Sequence, residues 1–120
     1  GGTFTSGGTE ATFAALLAAR ARALPGAWEH GLGGAEPPVV LCGEHAHYAV
    51  ARAVGQMGLG VRHLVTVPSV DWRMDVRALA RRLDDLASAG RPVVAVVATA
   101  GSTATGAFDD LDAIADVCDR

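Results

Sequence analysis

The run Val93-Val94-Ala95-Val96-Val97 is apolar throughout, rich in β-branched residues and free of polar alternation. A strand with one wet face alternates; an unbroken run marks a strand covered on both faces, as in a parallel sheet flanked by helices. Helical patterns lie on either side of it. Upstream, Asp75 reads as the N-cap of a helix from Val76 to Ser88. That helix sets Val76, Leu79, Leu83 and Leu86 on one face, with Arg77, Arg81, Asp84 and Asp85 elsewhere, and it ends at Gly90. Downstream, Asp109 reads as the cap of the last helix, with Asp110 and Asp112 near its positive end.

Two more strand-like runs precede these, Val39-Val40-Leu41 and about His63 to Val67. A helix from about Ala46 to Met57 separates them, closed by Gly58 and Gly60. The first helix runs from about Gly8 to Leu24, with Phe13, Leu16, Leu17 and Leu24 at helical spacing. Thr5 and Ser6 are its candidate caps, Pro25-Gly26 stops it, and the Gly- and Pro-rich stretch 26–37 reads as a surface loop. Helices alternating with strands through short linkers imply an α/β fold with parallel strands and right-handed crossovers. Functional loops then belong at the carboxyl ends of the strands.

The 120 residues are half apolar and carry a formal charge of −3, enough for one core. All ten basic residues are Arg and they are scattered, so no concentrated basic face is offered to nucleic acid. No apolar run approaches a membrane span and no signal peptide is present, so a cytoplasmic setting is expected. Two distant cysteines make no disulfide framework and fit a reducing compartment. Cys42 with His45 and His47 lacks the remaining ligands of a closed zinc site, so no metal is expected and Cys42 reads as a small buried thiol. The chain opens on Gly1-Gly2 without an initiator Met and ends inside a helical pattern at Arg120. Both ends therefore read as cut, and residues 1–120 as part of a larger domain.

Three segments carry candidate chemistry. Gly7-Gly8-Thr9 precedes a helix, where glycines let an anion approach free amides and a Thr hydroxyl adds a hydrogen bond. The spacing matches none of the common nucleotide motifs, and a plain helix start with permissive glycines is the alternative. Gly43-Glu44-His45-Ala46-His47-Tyr48 follows a strand, placing a His where it can stack on a flat ring or donate to a carboxylate. Its alternative is an exposed or helix-capping His, the only reading for His30 and His63. Ala98-Thr99-Ala100-Gly101-Ser102-Thr103 ends the run quoted first; Thr103 can reach a ligand, or the segment is a self-satisfied Ser/Thr turn.

In this order and spacing the chain resembles the pyridoxal-phosphate-dependent group II amino acid decarboxylases, the glutamate, aromatic amino acid and 2,4-diaminobutyrate decarboxylases. The resemblance rests on Phe4-Thr5-Ser6-Gly7-Gly8-Thr9-Glu10-Ala11, on Glu44-His45-Ala46-His47-Tyr48 through Gly58-Leu59-Gly60, and on Ala98 to Thr103 through Gly106-Ala107-Phe108-Asp109. It implies part of the mostly parallel-sheet large domain of the fold-type-I, aspartate aminotransferase-like architecture. It further implies pyridoxal 5'-phosphate as cofactor, an amino acid substrate and a homodimer. Gly8 and Thr9 match phosphate-binding positions, His47 the histidine stacked on the pyridine ring, and Thr103 a hydroxyl contact to the cofactor. The family's pyridinium-binding Asp and Schiff-base Lys are expected beyond Arg120, so the 120-residue chain alone is expected to be inactive. A lyase resembling sphingosine-phosphate lyase and a non-catalytic phosphate-binding α/β module are the alternatives.

Overall fold

The computed structural model describes residues 2–33, 36–101 and 105–119. Three parallel strands form the central sheet: β1 (Val39–Gly43), β2 (Leu64–Val67) and β5 (Val93–Val97), in the order β2-β1-β5. The register pairs Val40 with Leu64 through Gly43 with Val67 on one side of β1. On the other it pairs Val39 with Val93 and Val40 with Ala95, with an irregularity between them. The parallel α/β expectation holds.

Helices α1 (Gly8–Ala23) and α3 (Ala49–Gln56) cover one face of the sheet. Helices α4 (Val76–Ser88) and α5 (Leu111–Cys118) cover the other. Alternate β1 side chains feed the two cores. Val40 and Cys42 meet Leu16, Val50, Val54 and Met57. Val39 and Leu41 meet Val67, Leu79 and Ile114. The continuous apolar sequences of the strands follow from this double coverage.

The most buried strand is β1, not β5. Every residue of β1 is buried, whereas all of β5 is only partly so. The reason is position: β1 has a strand on each side and β5 lies at a sheet edge among the described residues. Periodicity reports faces and is silent about edges.

Four other boundaries differ from expectation. Within the stretch read as loop, Ala27–His30 forms a short helix, α2, whose Ala27 is buried. Helix α3 begins at Ala49 rather than Ala46, because Glu44 and His45 turn first. Thr5 and Ser6 do not cap α1; Gly7 is its N-cap, without a side-chain cap bond. Ser6 instead donates through Oγ to the Glu10 carboxylate. Asp110, not Asp109, caps α5, accepting from the Ala113 N–H at 3.0 Å.

A two-stranded antiparallel hairpin was not anticipated: β3 (Ser69–Val70) and β4 (Arg73–Met74). Its two turn residues, Asp71 and Trp72, have φ of 51° and 67°. Positive φ at both central positions is the type I′ pattern, whose usual sequences are Asn-Gly and Asp-Gly. A Trp where Gly is preferred hides the turn from a sequence reading, and its left-handed backbone costs on the order of 1–3 kcal/mol.

The Asp75 cap is as expected, its Oδ1 accepting from Arg77 N–H at 3.0 Å and Ala78 N–H at 3.2 Å. Asp75→Ala should therefore lower stability by about 1 kcal/mol, read as a shift of the urea midpoint with unchanged slope. Among the described residues no helix is long and apolar enough to cross a membrane.

Candidate functional site

The loops leaving β1 and β5 emerge side by side at the carboxyl ends of neighbouring parallel strands. At the β1 loop, the Ala46 N–H donates to Gly43 O and the Glu44 N–H to Val67 O, both at 3.0 Å. His47 is exposed, and its Nδ1 accepts from the Ala49 N–H at 3.0 Å. With Nδ1 accepting, Nε2 is the ring nitrogen left to face a ligand. The Tyr48 ring lies beside that of His47, centroids 4.2 Å apart and planes 34° from parallel. His47 is thus tied through Nδ1 to the first residue of α3, and its exposed ring has no other hydrogen bond among the described residues.

The β5 loop closes on itself. Ala100 bridges Phe108 in antiparallel fashion, and the Gly101 N–H donates to Ala107 O at 3.1 Å. The Asp109 N–H donates to Thr99 O at 2.8 Å. Asp109 itself is buried, 8% exposed. Its carboxylate accepts from Thr99 N–H and Met74 N–H, both at 2.8 Å. This replaces the capping role expected of it: backbone donors from two segments satisfy the carboxylate inside the fold. Thr103 lies outside the described residues.

At the start of α1, Gly7 and Gly8 are exposed and nothing lies within 4 Å of where either Cβ would stand. A helix leaves its first N–H groups without intrahelical partners, and no side chain caps these. The helix dipole adds positive character there. Ser6, Gly7, Gly8, Thr9 and Glu10 line an open depression of about 540 Å³ with Phe13 and Gln56. A phosphate fits such a seat.

The structure does not gather all the candidates into one pocket. Gly8 and Thr9 line the depression just described, while His47 lines neither it nor the small cleft of about 10 Å³ below the β1 and β5 loops. That cleft is formed instead by His45, Trp72, Met74, Thr99 and Asp109 among others. His45 and Trp72 are in ring contact, centroids 4.8 Å apart. These cleft residues were missed as a group, although His45, Thr99 and Asp109 each lie in a stretch singled out in the sequence. Cys42 is buried in β1, and burial pushes its thiol above its ordinary pKa, which suits a core residue.

Fold and site together define an α/β unit with an uncapped, glycine-lined helix start and loops at the carboxyl ends of parallel strands. A sequence profile of the pyridoxal-dependent decarboxylase conserved domain matches residues 1–120, and the chain belongs to this family. It is 40% identical over 117 residues to L-2,4-diaminobutyrate decarboxylase of Rhizobium meliloti (strain 1021), covering 97% of this chain and 22% of that protein. It is 35% identical over 116 residues to glutamate decarboxylase of Drosophila melanogaster, covering 95% of this chain and 23% of that protein. Among solved structures, mouse CSAD in apo form superposes with a TM-score of 0.89 at 35% identity, over 98% of this chain and 25% of that one. Oryza sativa TDC with PLP and tryptamine gives 0.89 at 28% identity, over 100% and 25%. The chain thus spans about a quarter of the length of these relatives. The fold is part of the fold-type-I large domain, and the cofactor that goes with the family is pyridoxal phosphate. The decarboxylase matches do not favour the carbon-carbon lyase or the non-catalytic module.

Proposed function

We propose that this chain supplies the phosphate- and ring-contacting part of the cofactor site of a cytoplasmic, homodimeric pyridoxal-phosphate-dependent amino acid decarboxylase. The observation that carries the reading is the uncapped, glycine-lined N-terminus of α1 in a chain of this family. The amides of the first turn and the Thr9 hydroxyl take the phosphate. His47, its Nδ1 anchored on Ala49 N–H, lays its imidazole on the pyridine ring as the catalytic contact and keeps Nε2–H free to donate. Thr103 contributes a hydroxyl contact. Bound pyridoxal phosphate supplies an electron sink for the charge left when a carboxylate departs as carbon dioxide. The residues of this chain bind, orient and shield the cofactor. They do not tether it, since no Lys is present.

The test is Gly8→Glu in the full-length protein. A carboxylate in the first turn is favourable to the helix by about 0.3–1 kcal/mol, and replacing Gly in a helix adds stability of the same order. The same carboxylate repels a phosphate. Thermal stability without cofactor should hold or rise, while pyridoxal phosphate affinity falls at least about tenfold. Equal cofactor affinity in variant and wild type would remove α1 from the site. Carbon dioxide release from 2,4-diaminobutyrate, glutamate or cysteine sulfinate, against aldehyde formation without decarboxylation, tests the reaction class.

A further inference from the structure

The β3–β4 hairpin stands between the two strand-end loops and holds on to both. On one side Trp72 packs its ring on His45, two residues before His47. Met74 is buried directly against Gly43, where an added Cβ would meet its Cβ at 3.8 Å. On the other side, the Met74 N–H donates to Asp109 and Arg73 Nε donates to Phe108 O at 2.6 Å. Asp109 and Phe108 close the base of the loop that carries Thr103. The base of the hairpin is fixed in turn, the Asp75 N–H donating to Pro68 O at 2.9 Å.

The cost of this arrangement is visible in the backbone. Trp72 is held in the left-handed region, and the residue remains 59% exposed, so burial does not explain its presence there. Gly or Asn would make the same turn without strain. Strain kept at a position where a simpler residue serves the fold indicates a task for the side chain itself.

We propose that the hairpin is a brace between the two strand-end loops, with Trp72 and Asp109 as positioning residues that fix the turn at 44–48 relative to the segment 99–101 through His45 and Met74. The brace rests on the cofactor reading given above for its meaning, though its mechanical part stands on geometry alone. Trp72 touches His45, and Asp109 ties Thr99 to Met74. Loss of either should loosen both loops together, because each loop is held from the same hairpin.

The experiment uses the full-length protein with Trp72→Gly, Trp72→Phe and Asp109→Asn. Three quantities are read: amide hydrogen exchange over 44–48 and 99–101, pyridoxal phosphate affinity, and the visible circular dichroism of the cofactor-saturated protein. For Trp72→Gly the expected result is unchanged or higher thermal stability, faster exchange in both segments, about tenfold weaker cofactor binding and a reduced dichroic band. Trp72→Phe should restore affinity to within about threefold of wild type. Asp109→Asn keeps the shape but sets an amide NH2 against a backbone donor, and should speed exchange in both segments. Wild-type exchange in Trp72→Gly overturns the brace, as does a loss of thermal stability with exchange in folded protein unchanged. A wild-type protein that does not bind pyridoxal phosphate refutes the functional reading, and the exchange result then still decides the brace.

Discussion

Borohydride added to the 120-residue chain together with pyridoxal phosphate is expected to leave every side chain unlabelled. A reducible link to the pyridoxal aldehyde needs a primary amine, and side-chain amines of that kind belong to Lys alone. All ten basic residues here are Arg, whose guanidinium remains protonated and has no free lone pair to attack a carbonyl. Affinity and tethering are thereby separable in this chain: the proposed phosphate seat at α1 needs no amine, while no side chain can form a reducible link to the aldehyde. Peptide mass mapping after reduction should find the adduct at the terminal amine or nowhere. An adduct on any internal residue would overturn the expectation, and so would carbon dioxide release from an amino acid by this chain alone.

Leu41→Ala is expected to lower unfolding stability by about 3–5 kcal/mol. Leu41 is 0% exposed in the central strand, against Val67, Leu79 and Ile114, where neighbouring strands and helices leave little room for collapse. Domain stabilities are about 5–15 kcal/mol, so this one change removes a large part of the margin. Leu111→Ala, at the exposed start of α5 with 47% of its surface open, should cost no more than about 0.5 kcal/mol. Paired urea titrations check both, and a cost below about 1 kcal/mol at Leu41 would contradict the central position of β1.

Much of the fold was legible because periodicity and punctuation agreed. Val76, Leu79, Leu83 and Leu86 pack together as their spacing predicts, and Gly58, Gly60 and Gly90 take positive φ where they end elements. Asp109 was misread since two adjacent carboxylates, Asp109 and Asp110, offer equivalent caps before the helix, and only tertiary contact shows which one turns inward. The hairpin was missed because Asp-Trp imitates none of the favoured turn pairs. In the candidate site, the exposed helix start at Gly8 and the strand-end position of His47 could be read locally. The part played by His45 could not, because its partner Trp72 is brought to it only by the return of the chain after β2.

The strand order also sets a timetable. β1 joins β2 across a short stretch of sequence, but its other edge waits for β5. A ribosome adding about 5–20 residues per second exposes the completed β1–β2 pair for seconds before residues 93–97 arrive. During that interval the central strand of the native sheet is itself an edge, with Leu41 still lacking Ile114 above it. Synthesis therefore passes through a stage in which β1, buried throughout among the described residues, has an open edge, and slowing translation just after β2 should lengthen the need for a chaperone.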